Sequence, residues 1–474
     1  MIATTTAPPD TATNGSGSRT RVVVLGGGPA GDVAALRAAQ LGADVTLIER
    51  AQLGGTCTNW GCIPTKSLLA TADLLRKIQR SSEYGINVPT IEIDFPRMME
   101  RKEEVVATMR GYVEAACQRK RVRVVYAHGV VEEGQVIVND GERIPYDHLI
   151  VATGTQAYGL PGVDMGHPSV VTSDGILRLE KIPRRLLVIG GGVIGCEFAS
   201  VFAPLGSEIT VVEMLPQILA GVDPRIVREF RRLFEAQGVT FLTERTLKEV
   251  VKYGENTITA QLGDGTEIEA DVMLISIGRK PETRGIGLEE VGVKLTDHDH
   301  VVVDGYLRTD NPRIWGIGDC IGGLQLAHLG SKEGERAVEN ALGHDPRPMD
   351  RTVVPSCIYT HPEIAMVGLN SETAKAAGYE VKIGQARFVG NAKVLGEGEK
   401  DGLAQIYADA SNDVILGACF MGVHAVEIIH EVAVAMSDGL TLGELGDVIH
   451  SHPTVSELVM DAAQQGAKVA PYLS

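Results

Sequence analysis

Cys57 and Cys62, five positions apart in CTNWGC, are the residues with the most evident chemical potential in this 474-residue chain. They follow Gly54-Gly55-Thr56 and precede Ile63-Pro64-Thr65-Lys66 at the start of a helical segment. Two such thiols can close a small-loop disulfide, and a helix N-terminus would stabilise a thiolate when it opens. Zinc is the competing chemistry, but it needs about four ligands and the chain has no second close cysteine pair, so no metal is expected. Cys117, Cys196, Cys320, Cys357 and Cys419 are scattered and read as core or incidental thiols. Towards the other end, His450-Ser451-His452-Pro453-Thr454-Val455-Ser456-Glu457 places an imidazole five residues before a carboxylate across a proline turn. That pair suits general base work, the carboxylate fixing the tautomer and stabilising the imidazolium.

Two glycine turns point to dinucleotides. Gly26-Gly27-Gly28-Pro29-Ala30-Gly31 closes a predicted strand (Val22 to Leu25) and opens a predicted helix (Gly31 to about Leu41). Gly26 allows the tight turn, Gly28 lets backbone approach a pyrophosphate, and Gly31 lets helix and strand pack closely. Glu49 ends the next strand, 23 positions after Gly26, where a carboxylate can accept hydrogen bonds from a ribose diol. Gly190-Gly191-Gly192-Val193-Ile194-Gly195 repeats the pattern, with Glu213 again 23 positions after its first glycine and a helix expected from Cys196 to about Leu205. Such repetition in context is not expected of chance turns. Met214 to Ile218 supply no arginine for a 2′-phosphate, so the second cradle is expected to prefer NAD over NADP. Asp32 reads as a first-turn acid that complements the helix dipole.

The elements that must position these groups read as an α/β protein with two Rossmann-like dinucleotide-binding domains and a C-terminal α+β domain. Alternating residues predict antiparallel strands over 121–154, with a turn at Asn139-Asp140-Gly141, and again from about Leu247 to Gly278. After about Asp350 a strand-rich stretch to about Phe420 gives way to helices around Ala425 to Ala435 and Val455 to Gln465. The expected boundaries are 1–18 for a flexible tail, 19–154 and 281–349 for a first domain in two parts, 155–280 for a second, and 350–474 for a third. With 44 basic against 61 acidic residues the net charge is −17, which disfavours nucleic acid and anionic membranes as partners. No apolar run is long enough to span a membrane and the N-terminus shows no signal core, so a cytoplasmic location is expected.

Taken together, GGTCTNWGCIPTK resembles the redox segment of the pyridine nucleotide–disulfide oxidoreductases, above all the branch that oxidises dihydrolipoamide. YDHLIVATG (146–154), ISIGRKP (275–281) and IWGIGD (314–319) are similar to the family's strand crossovers and second FAD motif. The resemblance covers nearly the whole chain after the tail, although Leu329-Gly330-Ser331 departs from the usual continuation after Ala327-His328. It implies an FAD set of Gly26, Gly28, Gly31, Glu49, Lys66, Thr153, Gly154, Asp319 and Ala327, and an NAD set of Gly190, Gly192, Val193, Gly195, Glu197, Glu213 and Gly278. It implies a Cys57–Cys62 disulfide, a Lys66–Glu197 pair beside the flavin, and His452 as base with Glu457 as its partner and His450 as support. In this family the histidine serves the disulfide of the other subunit, so a homodimer is expected, with 350–474 as its interface domain. His361 in YTHPE reads as structural.

The expected function is therefore oxidation of protein-bound dihydrolipoamide by an FAD- and NAD-dependent enzyme, the lipoylated partner being a 2-oxoacid dehydrogenase lipoyl domain, a glycine cleavage carrier or another lipoate-binding protein. Rival readings are a mercuric-type reductase, a glutathione-type reductase and a flavin redox sensor with a vestigial disulfide. The C-terminal run Val469 to Ser474 lacks the mercuric-type cysteine pair, and Val193 stands where glutathione-type enzymes commonly hold tyrosine.

Overall fold

The structure, a computed structural model, describes residues 19–139 and 141–468. The expected tail (1–18), Asp140 of the expected turn and the C-terminal run 469–474 lie outside the described residues. The chain divides into two compact units, the first formed by Met1–Pro64, Arg101–Ala157 and Arg279–Met349, the second by Thr65–Glu100, Tyr158–Gly278 and Asp350–Ser474.

In the first unit a five-stranded parallel sheet runs in the order Ile314–Gly316, His148–Val151, Arg21–Leu25, Asp44–Glu49, Arg123–Tyr126. Its central strands are unbroken apolar runs because both faces are covered: Val22, Val23 and Val24 are all buried. The helix after the first strand spans Pro29–Gln40, starting two residues earlier than its pattern suggested because Pro29 takes the first helical position. Small residues let it lie close to the helix Ala327–Ala341, where a Cβ on Gly334 would come within 2.4 Å of Ala30 O. Of the antiparallel strands expected over 121–154, Gly129–Glu132, Gln135–Val138 and Glu142–Pro145 do pair antiparallel, with Asn139 and Gly141 both at positive φ in the turn, whereas Arg123–Tyr126 and His148–Val151 at either end of the range join the parallel sheet. The long helix Phe95–Arg119, polar over most of its surface, carried no signal in the sequence reading.

The second unit repeats the parallel plan in the order Val239–Thr243, Glu208–Glu213, Arg185–Ile189, Val272–Ile275, Val170–Thr172. The expected antiparallel stretch from Leu247 ends early. Leu247–Tyr253, Ile258–Leu262 and Glu267–Ala270 do pair antiparallel, but Val272–Ile275 belongs to the parallel sheet, as four consecutive buried apolar residues require. The helix following the second glycine turn is Val193–Phe202. The C-terminal part is an antiparallel sheet in the order Ser356–Ile358, Ile364–Gly368, Ile415–Met421, Leu403–Asp409, Val381–Arg387, accompanied by the helices Ala425–Ser437 and Glu457–Ala467. One core joins the sheet and both helices through Phe388, Ile406, Phe420, Ile429, Leu458 and Val459. Among the described residues no helix is long and apolar enough to cross a membrane.

Candidate active site

Both glycine turns are built as a dinucleotide cradle demands. A Cβ on Gly31 would lie 1.8 Å from Gly26 O, and one on Gly195 would lie 2.2 Å from Gly190 O, so each third glycine is fixed by the first turn's carbonyl. Gly26 and Gly190 take positive φ (+109° and +105°), where a side chain would also strike Ala152 O or Ser276 O. A Cβ on Gly192, by contrast, meets nothing within 4 Å, leaving room for a phosphate at the helix N-terminus. The acids match as well. Glu49 accepts the Gly27 N–H on Oε2 and the Ala51 N–H on Oε1, both at 2.7 Å. Glu213 accepts the Gly191 N–H at 2.7 Å and the Leu215 N–H at 2.8 Å. Each carboxylate is thus pinned by backbone, with lone pairs left on both oxygens for ribose hydroxyls.

Within the first unit the cysteine segment is tied to the first cradle. The Gly54 N–H donates to Gly27 O at 2.7 Å, and a Cβ on Gly55 would lie 2.6 Å from Gly28 Cα. Cys57, half-buried, sits on the short helix Gly55–Trp60; Cys62, exposed, is the first residue of the helix Cys62–Gln79. The helical segment expected at the thiols is thus two helices separated at Gly61, where a side chain would press to 2.8 Å of Thr56 O. Asn59 holds the loop by donating to Leu53 O and Gly55 O, both at 2.9 Å.

Asp319, on the turn Gly318–Ile321, accepts from Thr155 Oγ1 at 3.0 Å. Burial pushes its carboxyl up, opposed by the Thr155 hydroxyl and the nearby Arg279 charge. Arg279 donates to Thr155 Oγ1 (2.9 Å) and Thr155 O (2.7 Å) and reaches Thr56 Oγ1, next to Cys57, at 3.5 Å. Arg279 and Thr155 were missed as site residues from sequence, as was Glu333, which accepts the Gly318 N–H at 2.8 Å. Only the arginine in ISIGRKP offered any signal.

The second unit brings Lys66 and Glu197 together although 131 positions separate them. The ammonium donates to both carboxylate oxygens at 2.9 and 2.8 Å, and Glu197 also accepts the Tyr359 N–H at 3.0 Å. The His452 imidazole Nδ1 lies 2.9 Å from Glu457 Oε1, and Glu457 Oε2 accepts the Thr454 N–H at 2.9 Å. Burial works to raise the Glu457 carboxyl, but the Thr454 N–H and His452 together hold it below the usual range. The His452 side chain is 73% exposed, so its second nitrogen faces outward. His450 is placed differently from a direct support: it bonds Glu431 Oε1 (2.5 Å) and Val448 O (2.8 Å). Gly278 takes positive φ and accepts the Tyr158 N–H, and Val193 is exposed at the start of its helix.

The remaining thiols are chemically quiet, since burial pushes Cys117, Cys320 and Cys357 up to about 11, Cys419 up to about 12, and Cys196 upward as well. His361 does have carboxylates close by, Asp73 at 4.0 Å and Glu399 at 3.8 Å. Burial, then Arg76, Arg80 and Lys77, nevertheless bring it down to about 4, so it stays neutral and structural. Asp32 does stand in the first turn of its helix, but it is buried, and burial pushes its carboxyl up to about 7.

Residues 20–334 match the pyridine nucleotide-disulphide oxidoreductase family, and residues 354–463 match that family's dimerisation domain. The chain belongs to this family. It is 38% identical over 459 residues to the dihydrolipoyl dehydrogenase of Bacillus subtilis, covering 93% of this chain and 97% of that one. Among solved structures, LpdA from Mycobacterium tuberculosis superposes with a TM-score of 0.87 at 28% identity, and the HOCl-induced flavoprotein disulfide reductase RclA from Escherichia coli with 0.85 at 29%, each over 94% of this chain and 99% of the other. The α/β architecture with FAD and NAD domains and a C-terminal dimerisation domain is accordingly the family's. FAD and NAD fit the residues present: two glycine cradles that a Cβ would fill, two pinned carboxylates with spare lone pairs, and an Asp319 carboxyl desolvated at the helix Ala327–Ala341 side of the first unit.

Proposed function

We propose that this protein oxidises protein-bound dihydrolipoamide to lipoamide and reduces NAD⁺, using Cys57 and Cys62 as a redox-active disulfide. The observation that carries the reading is the bond from the cysteine segment to the first dinucleotide cradle, Gly54 N–H to Gly27 O, which ties the short helix that carries Cys57 to the first glycine turn. Gly26, Gly28, Gly31, Glu49, Thr153, Gly154, Asp319 and Ala327 would hold FAD; Gly190, Gly192, Val193, Gly195, Glu213 and Gly278 would hold NAD. When bound, FAD supplies a two-electron carrier between the disulfide and the nicotinamide.

The chain's own residues do the rest. His452 takes the proton from a substrate thiol, and Glu457, already oriented by the Thr454 N–H, stabilises the imidazolium that results. The substrate thiolate attacks Cys57 Sγ; the Cys57–Cys62 bond breaks and Cys62 leaves as a thiolate, held at a helix N-terminus. The second substrate thiolate then displaces Cys57 from the mixed disulfide, releasing lipoamide. Lys66, oriented by Glu197, places positive charge where negative charge develops on reduction. The exposure of His452 and the family's dimerisation domain support a homodimer in which the histidine of one copy serves the disulfide of the other. The carrier is a lipoylated protein, and a cytoplasmic location suits an NAD-linked reaction on such a carrier. Glutathione-type chemistry is disfavoured by Glu213, which repels a 2′-phosphate, and by Val193.

Steady-state rates with free dihydrolipoamide, isolated lipoyl domains and glutathione disulfide, measured under one condition, test the reading. The lipoyl substrates are expected to lead. A higher kcat/KM for glutathione disulfide, or a Cys62→Ser variant that keeps the long-wavelength absorbance of a thiolate against oxidised flavin after two-electron reduction, would overturn it.

A further inference from the structure

Tyr359 stands against both members of the Lys66–Glu197 pair. Its N–H donates to Glu197 Oε1 at 3.0 Å, and its ring centroid lies 4.5 Å from Lys66 Nζ. Two residues on, the His361 N–H donates to Ser200 Oγ at 3.0 Å. Glu197 and Ser200 share one face of the helix Val193–Phe202, three residues apart. The 359–361 segment therefore grips that helix at two points. Ser200 also accepts the Arg76 guanidinium, on both its carbonyl and its hydroxyl, and Arg76 lies on the same helix as Lys66. Three segments of the second unit are thus tied at two stations, and Tyr359 closes the one that holds the ammonium. The Glu197 side chain is only 5% exposed, whereas Lys66 keeps 30%, so the carboxylate is fixed and the lysine's flexible stem is what needs restraint. A carboxylate on one side and a ring face on the other remove that freedom.

We propose that Tyr359 is a positioning residue for Lys66, its ring face and N–H holding the ammonium and its carboxylate so that the positive charge bears on the flavin. The inference rests on the role given to Lys66 above. In the FAD-loaded protein, Tyr359→Met keeps the N–H and much of the volume but removes the ring face, while Tyr359→Phe keeps the face. The flavin's own two-electron potential, read by equilibration with a reference dye in a Cys57→Ser/Cys62→Ser background where the flavin alone takes up electrons, should shift with Tyr359→Met by three- to tenfold in the oxidised/reduced equilibrium, about 15–30 mV more negative. Tyr359→Phe should hold the original value, a rescue that a general packing role would not give to the potential alone. Lys66→Met sets the scale: it should shift the potential further in the same direction, and Tyr359→Met should add nothing on top of it. If Lys66→Met leaves the potential unchanged, the role of Lys66 fails; if it moves the potential and Tyr359→Met does not, the positioning role of Tyr359 is overturned. Should Tyr359→Met not fold, pentafluorophenylalanine at position 359 keeps the shape while removing the electron-rich face. The same negative shift is expected, and an unchanged potential refutes the proposal.

Discussion

Cofactor choice offers the sharpest test of the second cradle, and Glu213 is the residue to change. Its carboxylate is held at the end of the strand Glu208–Glu213 by the Gly191 and Leu215 N–H groups, so it cannot swing away from an unwelcome charge. A 2′-phosphate in place of the ribose hydroxyl would stand about 4 Å from it, which at an effective dielectric constant of about 20 costs roughly 4 kcal/mol per unit charge. The site is half-buried, and halving the figure for screening leaves about 2 kcal/mol, or about 30-fold. One arginine does come near: the Arg245 N–H donates to Glu213 O, but its guanidinium is engaged by Asp264 at 2.7 Å. Met214 is 68% exposed, so an arginine placed there would be free to reach a phosphate. The wild-type protein should therefore favour NAD over NADP by at least about 30-fold in kcat/KM. Glu213→Ala should lower kcat/KM for NAD by about 10- to 100-fold, through loss of the ribose acceptor and of two backbone bonds, while raising it for NADP. Adding Met214→Arg should narrow the gap further. Initial rates with both cofactors at saturating dihydrolipoamide, paired with calorimetric binding of each, separate affinity from turnover. A wild-type preference below threefold, or a Glu213→Ala/Met214→Arg variant with the original ratio, would refute the reasoning.

His452→Gln should lower kcat by about 10²–10⁴, as expected for a positioned base, while leaving FAD content and Tm unchanged, because the side chain is mostly exposed; a loss below about tenfold in the steady-state assay would remove it from the mechanism. A mixed dimer of Cys57→Ser and His452→Gln subunits should retain one working site, since the intact cysteine pair meets the other copy's intact histidine; full inactivity of the purified heterodimer would argue for a site within one subunit. Asp32→Asn should stabilise the fold above neutrality. Burial raises the folded carboxyl to about 7, so the folded state is penalised increasingly from about pH 4 upward and fully above pH 7. Urea midpoints should therefore favour the variant at pH 8 by up to about 4 kcal/mol and converge with wild type near pH 4; an advantage that does not depend on pH would count against the buried carboxyl as its source.

What the sequence disclosed was what local sterics or repetition could encode. Gly31 and Gly195 were readable because the requirement for glycine arises within six residues, and the 23-residue interval to Glu49 and Glu213 is set by one βαβ unit, which the chain builds twice. The His452–Glu457 pair was readable because one turn closes it. Lys66 and Glu197 carry no local signal of each other, and only the family resemblance joined them. Arg279, Thr155 and Glu333 were not read as site residues: Arg279 and Thr155 act through bonds to segments more than a hundred positions away, and Glu333 through a backbone N–H of a separate turn, and an arginine or threonine in a strand has many ordinary reasons to be there. Val272–Ile275 was misassigned because a continuous apolar run placed after alternating strands looks like their continuation until its pairing is known. Asp32 shows a related limit: its place in the first helical turn was readable, but its burial, which makes the charge costly, was not. Tyr359 marks the limit of such reading. One part of its contribution comes from a backbone N–H that any non-proline residue would supply, and another from a ring face set against the Lys66 ammonium. The chemistry of the Lys66 charge is therefore written in one segment and its placement in another, nearly three hundred positions later, where only the folded chain shows that the two belong to one device.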